Sequence, residues 1–116
     1  VRDIAKNLNC AAVLSKLQRT VSANQSLEDA HEIENLNDKN IKKKIIDMGD
    51  ALRCIDKIQC LPEIIDRIKK GQKIFMKEAE LKSKYLRLFD ENNEFLGILE
   101  NSNGLVSPKR LISIEI

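Results

Sequence analysis

Apolar side chains that alternate with a period of two predict short strands in the last third of the chain. Residues 85–89 (YLRLF) alternate in this way, and residues 94–100 repeat the pattern after a polar break at 90–93. Such alternation is typical of half-buried strands, and Asn- and Asp-rich breaks are typical of tight turns. A second polar break at 101–104 precedes a third strand at 105–107. The pattern predicts a compact β module over residues 85–110.

Two residues of this β module predict departures from regular strand pairing. Gly97 lies inside the second strand, where glycine indicates a bulge or a close approach of two backbones. Pro108 has no backbone N–H group, so it is expected at a sheet edge or at a bend.

Helical spacing of apolar residues predicts three helices upstream of the β module. Val1, Ile4 and Leu8 indicate the last turns of one helix. A second helix is predicted from residue 40 to about residue 55, and a third begins at Pro62 and ends near Gly71. The apolar stripes of these two helices are Ile41, Ile45, Met48, Leu52 and Ile55, then Leu61, Ile64, Ile65 and Ile68.

The remaining segments have weaker patterns. Residues 12–21 fit a helix or a strand, and the β-branched pair Thr20-Val21 favours a strand. Residues 28–38 are acidic and predict short solvated turns, whereas 74–76 predict a strand. The order of elements favours an α+β fold with a small mixed barrel.

Composition narrows the function classes only a little. The chain has 116 residues, of which 42% are hydrophobic and 33% charged, so it is globular. The odd number of cysteines fits reduced thiols in a cytoplasmic protein, and no apolar run is long enough to span a bilayer. Cys54 and Cys60 lack zinc-site spacing, and His31 lies in an acidic segment without a placed nucleophile. We therefore expect no metal and no membrane partner.

Charge is distributed unevenly along the chain. Residues 67–87 contain eight Lys or Arg and two acids, whereas residues 28–38 contain five acids and neither Lys nor Arg. The formal net charge of +2 hides this asymmetry. A basic stretch beside Tyr85 suits binding of a phosphate backbone, although most charge runs are only solvated faces.

The end of the β module resembles a PUA domain, a small RNA-binding pseudo-barrel. The resemblance is carried by residues 95–98 (FLGI) and 104–112 (GLVSPKRLI). The first half of the chain extends the resemblance to the bacterial tRNA pseudouridine synthase TruB family. It is carried there by residues 3–12 (DIAKNLNCAA), 17–20 (LQRT) and 26–30 (SLEDA).

The resemblance implies a domain organisation. Residues 1–38 would be the tail of a catalytic domain, 39–59 a linker helix and 60–116 a PUA domain. The catalytic aspartate of the family lies in a Gly-Thr-Leu-Asp-Pro motif, which this sequence does not contain. We therefore expect no catalytic residue in this chain, a missing N-terminal catalytic portion as partner, and no activity of the chain alone.

The resemblance also implies a substrate and site residues. The parent enzyme would isomerise the T-loop uridine of tRNA without a cofactor, and this portion would bind the T-arm and the tRNA backbone. Leu17 would pack against the flipped base, although an ordinary core role for it is an open alternative. The candidate RNA-binding residues are Arg19, Lys69, Lys70, Lys73, Arg87, Lys109 and Arg110.

Two other functions stay open from the residues alone. The chain fits a non-catalytic RNA-binding module that acts alone or with a partner chain, and it also fits a protein-interaction domain that ignores RNA. If 12–21 is a strand made for an absent sheet, we expect it to be disordered, refolded or paired with another molecule.

Overall fold

A computed structural model describes residues 1–112, which separate into two compact units. The first unit, Val1–Asn40, contains helix α1 (Arg2–Asn7) and a hairpin of two short strands, β1 (Val21–Ser22) and β2 (Gln25–Ser26). The two central residues of the hairpin have φ values of 49° and 62°, which is the type I′ geometry that matches strand twist. Two single-turn 3₁₀ helices follow at Leu27–Asp29 and Ile33–Asn35, so the predicted solvated turns are confirmed.

The strand predicted over residues 12–21 is wrong. Residues 11–20 have no regular secondary structure, and only Val21 lies in a strand. Val13 is 90% exposed and Leu17 is 76% exposed. A β-strand requires a paired neighbour to satisfy its backbone groups, and no neighbouring strand pairs with this segment in the described part of the chain. Thr20 therefore lies outside any strand, whereas Val21 pairs with Ser26 in the short hairpin.

The second unit begins at Ile41 and contains the main sheet. Its helices are α2 (Ile41–Lys44), α3 (Met48–Ala51) and α4 (Pro62–Lys69), with a 3₁₀ turn at Lys77–Ala79. Its strands are β3 (Asp56–Gln59), β4 (Ile74–Phe75), β5 (Tyr85–Phe89), β6 (Phe95–Ser102) and β7 (Leu105–Leu111). The three strands predicted over residues 85–110, the strand at residue 74 and the helix starting at Pro62 are confirmed.

The single helix predicted from residue 40 to 55 is wrong. The chain forms α2 and α3 instead, and Asp47 between them has an extended backbone. The first three residues of the predicted apolar stripe, Ile41, Ile45 and Met48, are exposed, whereas Leu52 and Ile55 are half-buried. Gly49 packs so closely on the Phe89 ring that an added Cβ would lie 3.0 Å from its Cζ. Contact with the sheet, rather than helix continuation, therefore determines the path of this segment.

The five strands form one mixed sheet in the order β3-β5-β6-β7-β4. β3 is parallel to β5, with Asp56 opposite Leu86, and the other pairs are antiparallel. Register shifts interrupt β5–β6 at Leu88/Phe89 and β6–β7 at Ile98/Leu99. Such irregularities bend strands, and the sheet is curled. The α+β class with a small mixed sheet is confirmed.

One face of the sheet and α4 form the core. Leu86, Leu88, Leu99 and Val106 are almost fully buried, and Ile68 of α4 joins the same cluster. Each buried aliphatic side chain of this kind contributes about 1.5 to 3 kcal/mol relative to exposure. The opposite face of the sheet, called the second face below, carries the alternate residues of the same strands. Tyr85, Arg87 and Arg110 lie on this face.

Gly97 and Pro108 occupy the positions that the sequence predicts for them. A Cβ at residue 97 would lie 2.3 Å from the Arg110 carbonyl oxygen, so the backbones of β6 and β7 approach closely there. Pro108 pairs with Leu99 directly beside the register shift, and β4 pairs with β7 only at Leu105 and Val106. Pro108 is therefore at an irregular, outer part of the sheet.

Candidate nucleic-acid interface

The end of α4 gathers three of the predicted RNA-binding lysines. The Gly71 N–H donates to the Ile68 carbonyl at 2.9 Å and the Gln72 N–H to the Arg67 carbonyl at 3.1 Å, with Gly71 at a φ of 80°. This pattern is a Schellman motif, which ends the helix and turns the chain sharply. The lysines on either side of this turn, Lys69, Lys70 and Lys73, are exposed to solvent.

The ion pair at the end of α4 is weak, so the lysines there can still bind an anion. Lys70 Nζ lies 2.7 Å from an Asp66 carboxylate oxygen, and both side chains are well exposed. Exposed pairs of this kind contribute at most about 1 kcal/mol, so a phosphate can replace the carboxylate at low cost. The Arg67 Nε–H donates to the Gln72 side-chain oxygen at 3.0 Å, which braces the turn.

Arg87 has a structural role inside the fold. Its Nε–H donates to the Ile55 carbonyl and its Nη1–H to the Gly49 carbonyl, each at 2.7 Å. The guanidinium carbon also lies 5.5 Å from the centre of the Phe89 ring. Arg87 thereby ties the segment before β3 to the second face of the sheet. Its predicted RNA contact stays a prediction, with two of its donors already engaged.

Lys109 and Arg110 lie on β7 at the bulge beside Gly97. Arg110 pairs with Ile98 in the sheet, which places it on the same face as Arg87, and both Lys109 and Arg110 are exposed. Lys109 Nζ lies 3.9 Å from one carboxylate oxygen of Glu100, and Lys84 Nζ lies 3.8 Å from the other oxygen. Two lysines therefore flank one carboxylate on this face.

Asn101 holds the loop that leads to Lys84. Its Nδ2 group donates to the carbonyls of Ala79, Lys82 and Ser83 at 2.7, 3.2 and 3.1 Å. Its Oδ1 accepts from the Gly104 N–H at 2.9 Å, and its side chain is 6% exposed. Sequence reasoning missed this residue because an Asn after a strand indicates only a turn. The hydrogen bonds depend on a loop about twenty residues upstream.

Leu17 and Arg19 lie in the irregular segment of the first unit, and both are exposed. Each unit is compact by itself, and the predicted pocket role of Leu17 and phosphate role of Arg19 stay predictions. Leu17 is 76% exposed, so it belongs to no core formed by residues 1–112.

Other chemistry has little support in residues 1–112. No group of three metal-ligating side chains is found among these residues. None of their helices is long and apolar enough to cross a membrane. Cys10 and Cys54 are exposed, whereas Cys60 is buried and burial, with a smaller contribution from Glu78, raises its pKa to about 11. The neutral thiol is therefore the form present at physiological pH, which argues against a nucleophilic role.

Comparison with known proteins identifies the class. Residues 57–112 match the family described as pseudouridine synthase II TruB, C-terminal. The chain is 30% identical over 115 residues to tRNA pseudouridine synthase B of Clostridium novyi, which covers 95% of this chain and 39% of the relative. It is 31% identical over 105 residues to the protein of that name from Clostridium kluyveri (87% and 36%) and 28% identical over 127 residues to that of Vibrio parahaemolyticus (97% and 40%).

The curled mixed sheet with α4 packed on it is consistent with a TruB C-terminal domain. The chain corresponds to the C-terminal portion of TruB-family proteins, which confirms the resemblance to the TruB family. It spans about two fifths of the length of the curated relatives that it matches.

Proposed function

We propose that this chain is the tRNA-binding C-terminal portion of a tRNA pseudouridine synthase that acts on the T-loop uridine. The match of residues 57–112 to the TruB C-terminal family is the single observation that carries the proposal. The exposed lysine cluster at the end of α4 supports it, because phosphate contacts dominate nucleic-acid affinity. Residues 60–116 would then be the PUA-type domain, in the cytoplasm where tRNA is modified.

The proposed binding surface of the second unit comprises the exposed cations Lys69, Lys70, Lys73, Lys109 and Arg110. Arg87, whose predicted contact with RNA is also kept, is less exposed than these cations because its guanidinium donates to the carbonyls of Gly49 and Ile55. Arg19 and Leu17 would act with the catalytic portion, which the longer relatives contain and this chain does not span. The chain by itself is expected to be inactive, since it has no Gly-Thr-Leu-Asp-Pro motif.

Binding of a T-arm hairpin RNA tests the substrate. The purified chain should bind the hairpin more tightly than a scrambled hairpin of equal length in a gel-shift titration. Equal affinity for the two would contradict T-arm recognition and favour the alternative of a general RNA-binding module. Formation of pseudouridine by the chain alone, without an added N-terminal portion, would contradict its proposed inactivity.

Charge reversal tests the surface. Replacement of Lys69, Lys70 and Lys73 by Glu should weaken hairpin binding and lower the slope of log K against log salt, by roughly 0.7 to 0.9 for each lost phosphate contact. The matched control reverses Lys42, Lys43 and Lys44 of α2, which are three exposed lysines of the same unit. Equal losses in the two triple variants would mean that only total charge matters.

A further inference from the structure

A cleft of about 370 Å³ lies between the loop at 79–84 and the turn that joins β6 to β7. It is lined by Lys82, Lys84, Glu100, Asn101, Ser102 and Asn103. The lining combines the ammonium groups of Lys82 and Lys84 with the Ser102 hydroxyl and the Asn103 amide, which can donate hydrogen bonds. A cleft of about 470 Å³ beside α4 is lined by Asp66, Asp90, Glu91 and Glu94 with a single lysine, and one of about 400 Å³ beside α3 contains only acids as charged groups. The first of these three clefts is the one suited to an anion.

Glu100 occupies the position of an anion between two lysines. Lys84 Nζ and Lys109 Nζ lie 3.8 and 3.9 Å from the two different oxygens of its carboxylate. These distances are long for ion pairs, and both lysine side chains are more than half exposed. Such pairs contribute little free energy, so another anion can displace the carboxylate easily.

The walls of this cleft are held in place before any ligand binds. The Asn101 amide fixes the carbonyls of residues 79, 82 and 83, and the Asn101 backbone N–H donates to the Lys84 carbonyl at 2.7 Å. The loop and the strand are therefore joined beside Lys84, which lines the cleft, whereas Lys109 approaches Glu100 from β7. A preformed wall lowers the entropy lost on binding.

Tyr85 adds an aromatic surface next to the cleft. It pairs with Glu100 across β5 and β6, so both side chains lie on the same face of the sheet. Its side chain is 38% exposed, and Lys84 Nζ lies 5.5 Å from the centre of its ring. Single-stranded nucleic acids bind where cations follow the backbone and an aromatic ring can stack on a base or ribose.

We infer that Lys84 and Lys109 form a phosphate site for RNA on the second face of the sheet, in which an RNA phosphate replaces the Glu100 carboxylate and the adjacent nucleotide lies on Tyr85. This site rests on the proposed RNA-binding function and adds to it a contact surface apart from the lysines at the end of α4. Glu100 acts as an internal competitor, because its carboxylate lies between the two ammonium groups.

Fluorescence anisotropy with a labelled T-arm hairpin tests this site in the full chain. The double variant Lys84→Ser/Lys109→Ser should bind about tenfold more weakly, with a salt slope lower by about 0.7 to 0.9, the value for one lost phosphate contact, between roughly 50 and 200 mM salt. The control Lys42→Ser/Lys43→Ser removes the same charge from exposed positions of α2 and should change both quantities little. All four lysines are exposed, so the fold is expected to survive in both variants.

Removal of the internal competitor gives a second, opposite prediction. Glu100→Gln should tighten hairpin binding several-fold and steepen the salt dependence, whereas Glu91→Gln, at an exposed position on the β5–β6 turn, should not. If the two glutamine variants bind equally, or if the two double serine variants lose equal affinity, the phosphate site is overturned. If the wild-type chain binds neither the T-arm nor a scrambled hairpin, the proposed function itself fails. The two failures are therefore distinguishable.

Discussion

The Arg87 guanidinium donates through Nη1 to the Gly49 carbonyl across thirty-eight residues of sequence, at 2.7 Å. The same side chain donates through Nε to the Ile55 carbonyl. These two acceptors lie on the segment that ends in β3, and the donor lies on β5, the strand with which β3 pairs. The Arg87 side chain therefore attaches residues 49–55 to the sheet, beside the place where the backbones of β3 and β5 pair.

Substitution of Arg87 should destabilise the second unit. Arg87→Lys keeps the charge but cannot donate to both carbonyls in one plane, so we expect a loss of about 1 to 3 kcal/mol in the free energy of unfolding. Urea denaturation followed by circular dichroism measures this loss. The control Arg110→Lys, at an exposed position, should change stability by less than about 0.5 kcal/mol. Equal effects of the two substitutions would contradict the structural role of Arg87.

Gly97 should be far less tolerant of a side chain than Gly71, although both have positive φ. An alanine Cβ at residue 97 would lie 2.3 Å from the Arg110 carbonyl oxygen, whereas nothing lies within 4 Å of one at residue 71. We expect Gly97→Ala to cost about 3 kcal/mol or more, and Gly71→Ala only the backbone strain of about 1 to 2 kcal/mol. Thermal or urea unfolding of the two variants checks the difference, and similar losses would refute the close approach of β6 and β7.

The pair Asp56–Ser83 should make stability depend on acid pH. The Ser83 hydroxyl donates to Asp56 Oδ2 at 2.7 Å and the Ser83 N–H at 2.9 Å, and these bonds lower the carboxyl pKa from 3.8. The folded-state pKa is below the unfolded one, so the stabilisation is complete above pH 3.8 and is lost as pH falls through the lower folded value.

The Asp56→Asn variant is therefore expected to be less stable than the wild type at neutral pH. In strongly acidic buffer the unfolding free energies of the two proteins should become similar. Urea midpoints at a series of pH values measure the difference, and Glu91→Gln provides a control at an exposed position. A difference that does not change with pH would show that the charge of Asp56 is not involved.

Cys60 should react more slowly than the other two cysteines. Cys10 and Cys54 are exposed, whereas Cys60 is buried with a pKa raised to about 11. With a disulfide reagent at mildly alkaline pH, two thiols should react at once and the third only when the fold opens. Rapid reaction of all three thiols in the native protein would contradict the burial of Cys60.

The raised pKa also has a consequence for alkaline stability. The unfolded thiol ionises near pH 9.0 while the folded thiol keeps its proton until about pH 11, so the stability contributed by the neutral thiol declines as pH rises across this window. Cys60→Ala removes this titration. The difference in unfolding free energy between the wild type and Cys60→Ala should narrow between these pH values, and a constant difference would contradict the shift.

Local sequence patterns predicted the local parts of the fold. The antiparallel strands β5, β6 and β7 are joined by short polar turns, and α4 is bounded by Pro62 and Gly71, so each is determined by residues within a few positions. β3 was missed because Asp56–Gln59 is short and pairs with residues 86–89, far along the chain. The apolar stripe of residues 41–55 matched a helix in spacing, yet the tight packing of Gly49 on Phe89 outweighed it.

In the candidate site too, the sequence predicted local features but not contacts between distant parts of the chain. A count of charges located the basic stretch but could not show that Arg87 points into the fold while Lys84 reaches Glu100. Those positions depend on the register of β5 against β6, in which Tyr85 is opposite Glu100. Asn101 was missed for the same reason, because its partners belong to a loop that only the assembled sheet brings near.

The parallel pairing of β3 with β5 has a kinetic consequence. The β5–β6–β7 meander closes through short turns, whereas β3 meets a partner thirty residues later, after α4 and β4 have been placed between them. Contacts of long sequence separation are slow to form, because the intervening loop must be ordered before the contact contributes stability. β4 meets β7 across a similar separation, so we expect the meander to assemble first and the two outer strands, β3 and β4, to join later. The amides of residues 56–59 and 74–75 should then exchange with solvent hydrogen before those of the meander when the sheet opens.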